Sequence, residues 1–183
     1  MPDRTLPALL ERLGQIGIAR FTGSQSISLT NAPTHDSRHV APGGIFVAIR
    51  GFRTDGAAYA AEAVEHGAAL LVAERDLHAA VPTVVVSDTR RALAELAAWW
   101  EGDPAESLLT IGVTGTDGKT TTSTLLATAL TAVGLPSGLL TTAITRVGGI
   151  EAVVDGSHTT PEAPELQHLL RRIASSEIGR AHV

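Results

Sequence analysis

Apolar positions recur along this chain with two periods, and the period changes from segment to segment. Leu6, Leu9, Leu10 and Leu13 repeat at helical spacing and predict a short amphipathic helix. Residues 44–49, G-I-F-V-A-I, predict a buried strand, and residues 69–73 and 83–86 predict two more. Asp55 to His66 predicts a helix, with Gly67 placed to end it. Asp88 can cap a further helix in which Leu93, Leu96, Ala97 and Trp100 share a face. Gly102-Asp103-Pro104 then breaks the pattern, which puts a domain boundary between there and Leu108.

Beyond the break, Leu108 to Val113 is a short apolar run and predicts a strand. A helix follows, with Leu125, Leu126, Ala129, Leu130 and Val133 on one face. Residues 137–146 are apolar and compatible with β structure. Val147-Gly148-Gly149-Ile150 reads as a hairpin turn, because Gly-Gly meets the positive φ angles of a tight connection. Pro161 is expected to open a last helix, with Leu166, Leu169, Leu170 and Ile173 on one stripe. Strands alternating with helices imply an α/β architecture.

Composition narrows the classes. The 183 residues suffice for one domain or one and a half. With aromatics at 3%, Ala, Val, Leu and Ile must build the core. The chain has no cysteine, so neither a disulfide framework nor thiolate chemistry is available. A net charge of −5 gives no electrostatic case for nucleic acid. No apolar run approaches the ~20 residues needed to span a bilayer, and the N-terminus lacks the basic-then-apolar pattern of a signal peptide. A soluble cytoplasmic protein without membrane insertion is the simplest expectation.

The densest chemistry lies at residues 113–122, V-T-G-T-D-G-K-T-T-T, between the expected strand and helix. Gly115 and Gly118 can take backbone angles costly to other residues and let the main chain approach a ligand. Successive N–H groups can then converge on anionic oxygens as a nest, helped by the N-terminus of the following helix. Lys119 supplies a full positive charge, and Thr120 a hydroxyl able to ligate Mg²⁺. The pattern G-x-x-x-x-G-K-[ST] is met imperfectly, since its first glycine would fall at Val113. The spacing also fails the dinucleotide-binding G-x-G-x-x-G. The seven histidines form no H-E-x-x-H, and Pro42 and Gly43 oppose a sustained helix through His35 and His39. No G-x-S-x-G turn suggests a serine nucleophile.

The loop T-G-T-D-G-K-T-T-T resembles the T-G-T-N-G-K-T-T-T loop of the Mur ligases, the ATP-dependent amino-acid ligases of peptidoglycan synthesis. Folylpolyglutamate and cyanophycin synthetases carry related loops. Two further stretches resemble the Mur ligases more narrowly. Residues 35–56 contain His35-Asp36-Ser37-Arg38, Val40, Pro42-Gly43, Ile45-Phe46-Val47-Ala48, Gly51 and Asp55-Gly56, similar to D-S-R-x-V-x-P-G-x-L-F-V-A-x-x-G-x-x-x-D-G. His158-Thr159-Thr160-Pro161-Glu162-Ala163, with Glu165-Leu166-Gln167, is similar to the T-T-P-[ED]-A-x-E-L-Q of the branch that adds the third residue. One departure is Asp117, where the family usually has Asn. A carboxylate beside phosphates repels them unless Mg²⁺ or a hydrogen bond compensates, which would weaken ATP binding or make it more metal-dependent.

The resemblance implies a small N-terminal α/β domain binding the UDP-substrate over residues 1–106. It implies the start of a P-loop ATPase domain with a mostly parallel sheet over residues 107–176. ATP and Mg²⁺ would sit on Gly115, Thr116, Asp117, Gly118, Lys119, Thr120 and Thr121, with Lys119 catalytic and Thr120 on the metal. His35, Ser37, Phe52, Arg53, Thr54, His158, Thr159 and Thr160 would contact substrate. For Ser37, the alternative is a loop that only fastens its own backbone; for Thr159 and Thr160, it is capping the helix after Pro161. The implied reaction activates the terminal carboxylate of UDP-MurNAc-L-Ala-D-Glu as an acyl phosphate, which the amine of diaminopimelate or lysine attacks. A full-length protein of this kind is expected to be a monomer. Alternatives are a cyanophycin- or folate-type amide ligase, or a non-catalytic nucleotide-binding module. Residues 177–183 resemble translated sequencing-adapter DNA, and are expected to be a non-native tail. The resemblance stops partway through the second domain, with the second Mg²⁺-binding acid, the modified lysine and the amino-acid-admitting domain implied beyond Val183. The chain alone is therefore expected to be inactive. Uncovered apolar faces in the second domain are expected to make it poorly soluble.

Overall fold

A computed structural model of the chain describes residues 4–23, 27–51, 54–135, 137–147, 150–153 and 161–176. The chain divides into two compact units, Met1–Gly102 and Asp103–Val183.

The first unit is a five-stranded sheet with helices packed on it. Its strands are β1 (Ile18–Thr22), β2 (Pro33–Thr34), β3 (Gly44–Val47), β4 (Ala68–Ala73) and β5 (Thr83–Val86), in the order β1-β5-β4-β3-β2. β2, β3, β4 and β5 run parallel. β1 alone is antiparallel, paired along β5. Both faces of the sheet are covered, which is why β3 and β5 are buried at every position and read as continuous apolar runs. Phe46, Ala48, Leu71 and Ala73 share a cluster with Ala60 and Ala63 of α2 (Ala60–Glu65). Ile45, Val47, Leu70 and Val72 alternate onto the other face. Helix α3 (Thr89–Glu101) packs against β3 and β4, and α1 (Leu6–Gly14) packs against α3. Arg12 joins these two helices through a 2.9 Å ion pair with Glu95. Arg4 lies 4.1 Å from the centroid of the Trp100 ring and donates to the Trp100 carbonyl at 2.9 Å.

Local chemistry sets the helix ends. Asp88 caps α3 through the Arg91 N–H, as its position predicts. The segment from Asp55 differs from the expected single helix. Asp55 accepts from the Ala57 N–H and starts a 3₁₀ turn, Gly56–Tyr59, before α2. Gly67 ends α2 at φ +99°, and a Cβ there would meet Pro42 Cα at 2.9 Å. The pattern gave no expectation for β1 or for the two-residue β2.

The second unit holds a 3₁₀ turn (Pro104–Ser107), α4 (Lys119–Ala132), α5 (Ala163–Ser175) and strands β6 (Leu139–Leu140), β7 (Ile144–Val147) and β8 (Ile150–Val153). The three described strands form an antiparallel sheet in sequence order, where the resemblance implied a mostly parallel one for this unit. Thr141 separates β6 from β7, its hydroxyl accepting from the Ile144 N–H at 2.9 Å. Val147 pairs with Ile150 across the expected hairpin, whose Gly148 and Gly149 lie outside the described residues. Pro161 does not open α5. The helix starts at Ala163, after Glu162, which makes no side-chain cap bond, and carries its proline, Pro164, in its first turn.

Two further expectations for this unit are corrected. Residues 108–113 are not a strand: no described strand of the unit pairs with them. The expected stripe of α4 is split: Leu126, Ala127 and Leu130 line an apolar cavity of about 350 Å³ with Ile111, Leu139 and Ile173, while Leu125 and Val133 face outward. Leu109 is 91% exposed and Ile150 70%. Among the described large apolar side chains that are exposed, all but Tyr59 lie in this unit, consistent with the expected uncovered faces. No helix among the described residues is long and apolar enough to cross a membrane.

Candidate functional site

The candidate residues fall into two groups, one in each unit. In the second unit they form one continuous loop entering α4. Gly118 is the residue before the helix, at φ +78°, a left-handed conformation that favours glycine. A Cβ built there would meet no atom within 4 Å, so its outer side is open to a ligand. No side chain caps the first turn of α4, which leaves its leading N–H groups as donors for an anion. Lys119 folds back over the loop, donating to the Gly115 carbonyl and, at 3.1 Å, to that of Thr116. Thr116, Asp117 and Thr121 are exposed and Thr120 is half-buried. These features fit a phosphate and a hydroxyl-held Mg²⁺. Among the described residues, no group of three or more His, Asp or Glu could hold a metal by itself.

In the first unit His35 and Ser37 flank one turn, and Thr54 sits on another. The Ser37–His39 segment is a 3₁₀ turn capped by Asp36, whose Oδ1 accepts from the Arg38 N–H at 3.0 Å. Arg38 also returns two guanidinium bonds to Asp36, at 2.9 and 2.6 Å. His39 Nδ1 lies 3.3 Å from the same carboxylate. These bonds, the Arg38 side chain first, hold the Asp36 carboxyl well below the usual carboxylate range. A depressed carboxylate contributes stability that is complete above its unfolded pKa of about 3.9 and is lost as pH falls toward its folded value. The loss of melting temperature in Asp36→Asn relative to wild type is therefore expected to shrink as pH falls below about 4. The exposed setting limits the effect to ~1 kcal/mol or less. A difference that stays constant through that range would contradict the ion-pair account.

His35 is exposed and Ser37 is buried. The Ser37 hydroxyl donates to Glu62 Oε2 at 2.5 Å, and the Ser37 carbonyl lies 2.8 Å from His66 Nδ1. Sequence reading did not single out Glu62 or His66. Their spacing of four residues was visible, but their target lies 25 and 29 residues earlier.

Thr54 is exposed, and its carbonyl accepts from the Gly51 N–H at 2.9 Å. A bridge between Arg50 and Asp55 closes this segment. Asp55 is fixed in turn by the Ala57 N–H at 3.0 Å and by Arg75 at 2.9 Å, which together lower its pKa. Arg50, Asp55, Glu74 and Arg75 line a polar cleft of about 180 Å³ at the carboxyl ends of β3 and β4. Crevices at that end of parallel strands are where open α/β sheets bind ligands. Phe52, Arg53, His158, Thr159 and Thr160, together with residues 177–183, lie outside the described residues.

The family described as "Mur ligase family, catalytic domain" matches residues 33–100, and "Mur ligase middle domain" matches residues 113–181. A UDP-N-acetylmuramyl-tripeptide synthetase of Roseiflexus sp. (strain RS-1) is 48% identical over 145 residues, covering 78% of this chain and 28% of that protein. A UDP-N-acetylmuramoyl-L-alanyl-D-glutamate--2,6-diaminopimelate ligase of Geobacillus thermodenitrificans (strain NG80-2) is 39% identical over 173 residues, covering 94% of this chain and 34% of that protein. The chain thus spans well under half the length of the curated relatives it matches. Among solved structures, MurF from Acinetobacter baumannii aligns over 92% of this chain and 32% of its own, at 26% identity and a TM-score of 0.58. A UDP-N-acetylmuramoyl-L-alanyl-D-glutamate--2,6-diaminopimelate ligase aligns over 81% of this chain and 30% of its own, at 26% identity and a TM-score of 0.59.

Proposed function

The chain belongs to the Mur ligase family, and on that premise we propose that the protein it spans adds a third amino acid to UDP-MurNAc-L-Ala-D-Glu. The amino acid would be diaminopimelate or lysine, and ATP would drive the amide bond. The observation that carries this reading is the uncapped, glycine-opened entry to α4 with Lys119 folded over it. It is one element of a chain that also holds the Asp36-Ser37-Arg38 turn.

In this reading the α4 amides and the backbone of Gly115, Thr116, Gly118 and Thr121 cradle the phosphates. Lys119 exchanges its bonds to Gly115 and Thr116 for the terminal phosphate oxygens, where positioning and charge do most of the catalytic work. Thr120 would hold Mg²⁺, which supplies charge neutralisation. Asp117 adds a negative charge close to that cradle. In the first unit, the Ser37 turn and the segment ending at Thr54 would take the uridine end of the substrate. His158, Thr159 and Thr160 would position its reacting end.

Calorimetric titration of the chain with UDP-MurNAc-L-Ala-D-Glu tests the substrate assignment. Saturable binding is expected, weakened about 3- to 10-fold by Ser37→Ala, the worth of one hydrogen bond. Absence of saturable binding, or indifference to Ser37→Ala, would remove the substrate site from the first unit.

A further inference from the structure

The direction of the Ser37 hydroxyl is set before any ligand arrives. Its proton points to Glu62 Oε2 at 2.5 Å, and an ionised carboxylate only accepts. His66, the residue at the end of α2 and four positions after Glu62, contacts the Ser37 main chain at the carbonyl oxygen. Ala60 and Ala63 seat that helix in the cluster around Phe46 and Leu71. The turn itself is fastened separately by Asp36 and Arg38. What Glu62 adds is therefore the orientation of the hydroxyl. Ser37 is buried, so bulk water does not compete to turn it round.

We propose that Glu62 is a positioning residue that fixes Ser37 Oγ as a hydrogen-bond acceptor, so that this subsite reads a ligand N–H and not a phosphate oxygen. A serine hydroxyl has one proton and two lone pairs. With the proton given to Glu62, only lone pairs remain for a ligand. Phosphate oxygens and the uracil carbonyls also present lone pairs and are repelled. The uracil ring offers one donor, N3–H, on its Watson–Crick edge. The inference rests on the reading that Ser37 touches the uridine part of the substrate.

The test compares UDP with N3-methyluridine 5′-diphosphate by calorimetric titration of the wild-type chain and of Ser37→Ala, Glu62→Ala and Glu62→Met. Methionine keeps about the length of Glu62 and replaces the carboxylate with a weakly accepting thioether, and it carries the test if the alanine variant does not fold; thermal melting establishes which variants do. The wild type is expected to prefer UDP by about tenfold, the loss of one well-formed hydrogen bond. The methyl group's bulk is present in every titration, so the informative quantity is the change in this ratio. Each variant is expected to reduce the preference to about twofold or less. A preference unchanged in the Glu62 variants but lost in Ser37→Ala overturns the role of Glu62 and leaves the uridine reading standing. A wild-type ratio near one overturns the acceptor assignment. A wild type that binds neither nucleotide overturns the uridine reading, and this inference with it.

Discussion

Lys119→Ala is expected to weaken ATP·Mg²⁺ binding to the chain by at least about tenfold in calorimetric titration. The α4 macrodipole contributes only about 0.3–1 kcal/mol per charge at an exposed helix end, and the loop entering it is exposed. Hydrogen bonds from a full charge are worth about 1.5–3 kcal/mol, so the lysine outweighs the dipole. Two of its bonds already go to the Gly115 and Thr116 carbonyls. Exchanging them offsets part of the gain, which is why the expectation sits at the lower end of the range. Equal affinity of variant and wild type for the nucleotide would remove the phosphate-loop assignment.

Phe46→Ala is expected to destabilise the first unit by about 3–5 kcal/mol. Phe46 is fully buried and is the largest such side chain described. It joins β3 to α2 through Ala60 and Ala63, and α2 in turn carries Glu62 and His66 onto the Ser37 turn. Denaturant unfolding followed by tryptophan fluorescence gives a direct measurement, because Trp99 and Trp100 both lie in this unit. A lower midpoint with an unchanged slope would mark a change in stability alone. A loss under about 1 kcal/mol would show that the cavity collapses or that β3 is not central to the core.

These two residues show what sequence reveals and what it hides. The motifs around Phe46 and Lys119 are local, and buried strands and helix faces announce themselves by period. β3, β4, β5, α1 and α3 were therefore legible. Residues 108–113 have the same apolar character, yet strand formation needs a neighbour to bond, and composition does not show whether one is present. The α4 stripe fails for a related reason: periodicity marks Leu125 and Val133 as apolar, but burial depends on what packs there. The helix expected from Asp55 divides because the same carboxylate, which caps well, caps a 3₁₀ turn first. In the candidate site, the loop at Gly115–Thr121 and the Asp36-Ser37-Arg38 turn are contiguous and readable. The grip of Glu62 and His66 on Ser37 is a tertiary contact, which no spacing rule reaches.

If Thr54 and its neighbours take the uridine end of the substrate as proposed, the bridge between Arg50 and Asp55 bears on affinity through chain entropy. The ends of this segment are fixed by their own bridge, by the Gly51–Thr54 bond and by the Asp55–Arg75 pair. Closing such a chain on a ligand would otherwise take ordering free energy from the association step. With the described ends already held in the folded chain, breaking the Asp55–Arg75 pair would move that part of the cost into binding if the proposed site is right, even though neither partner need touch the ligand.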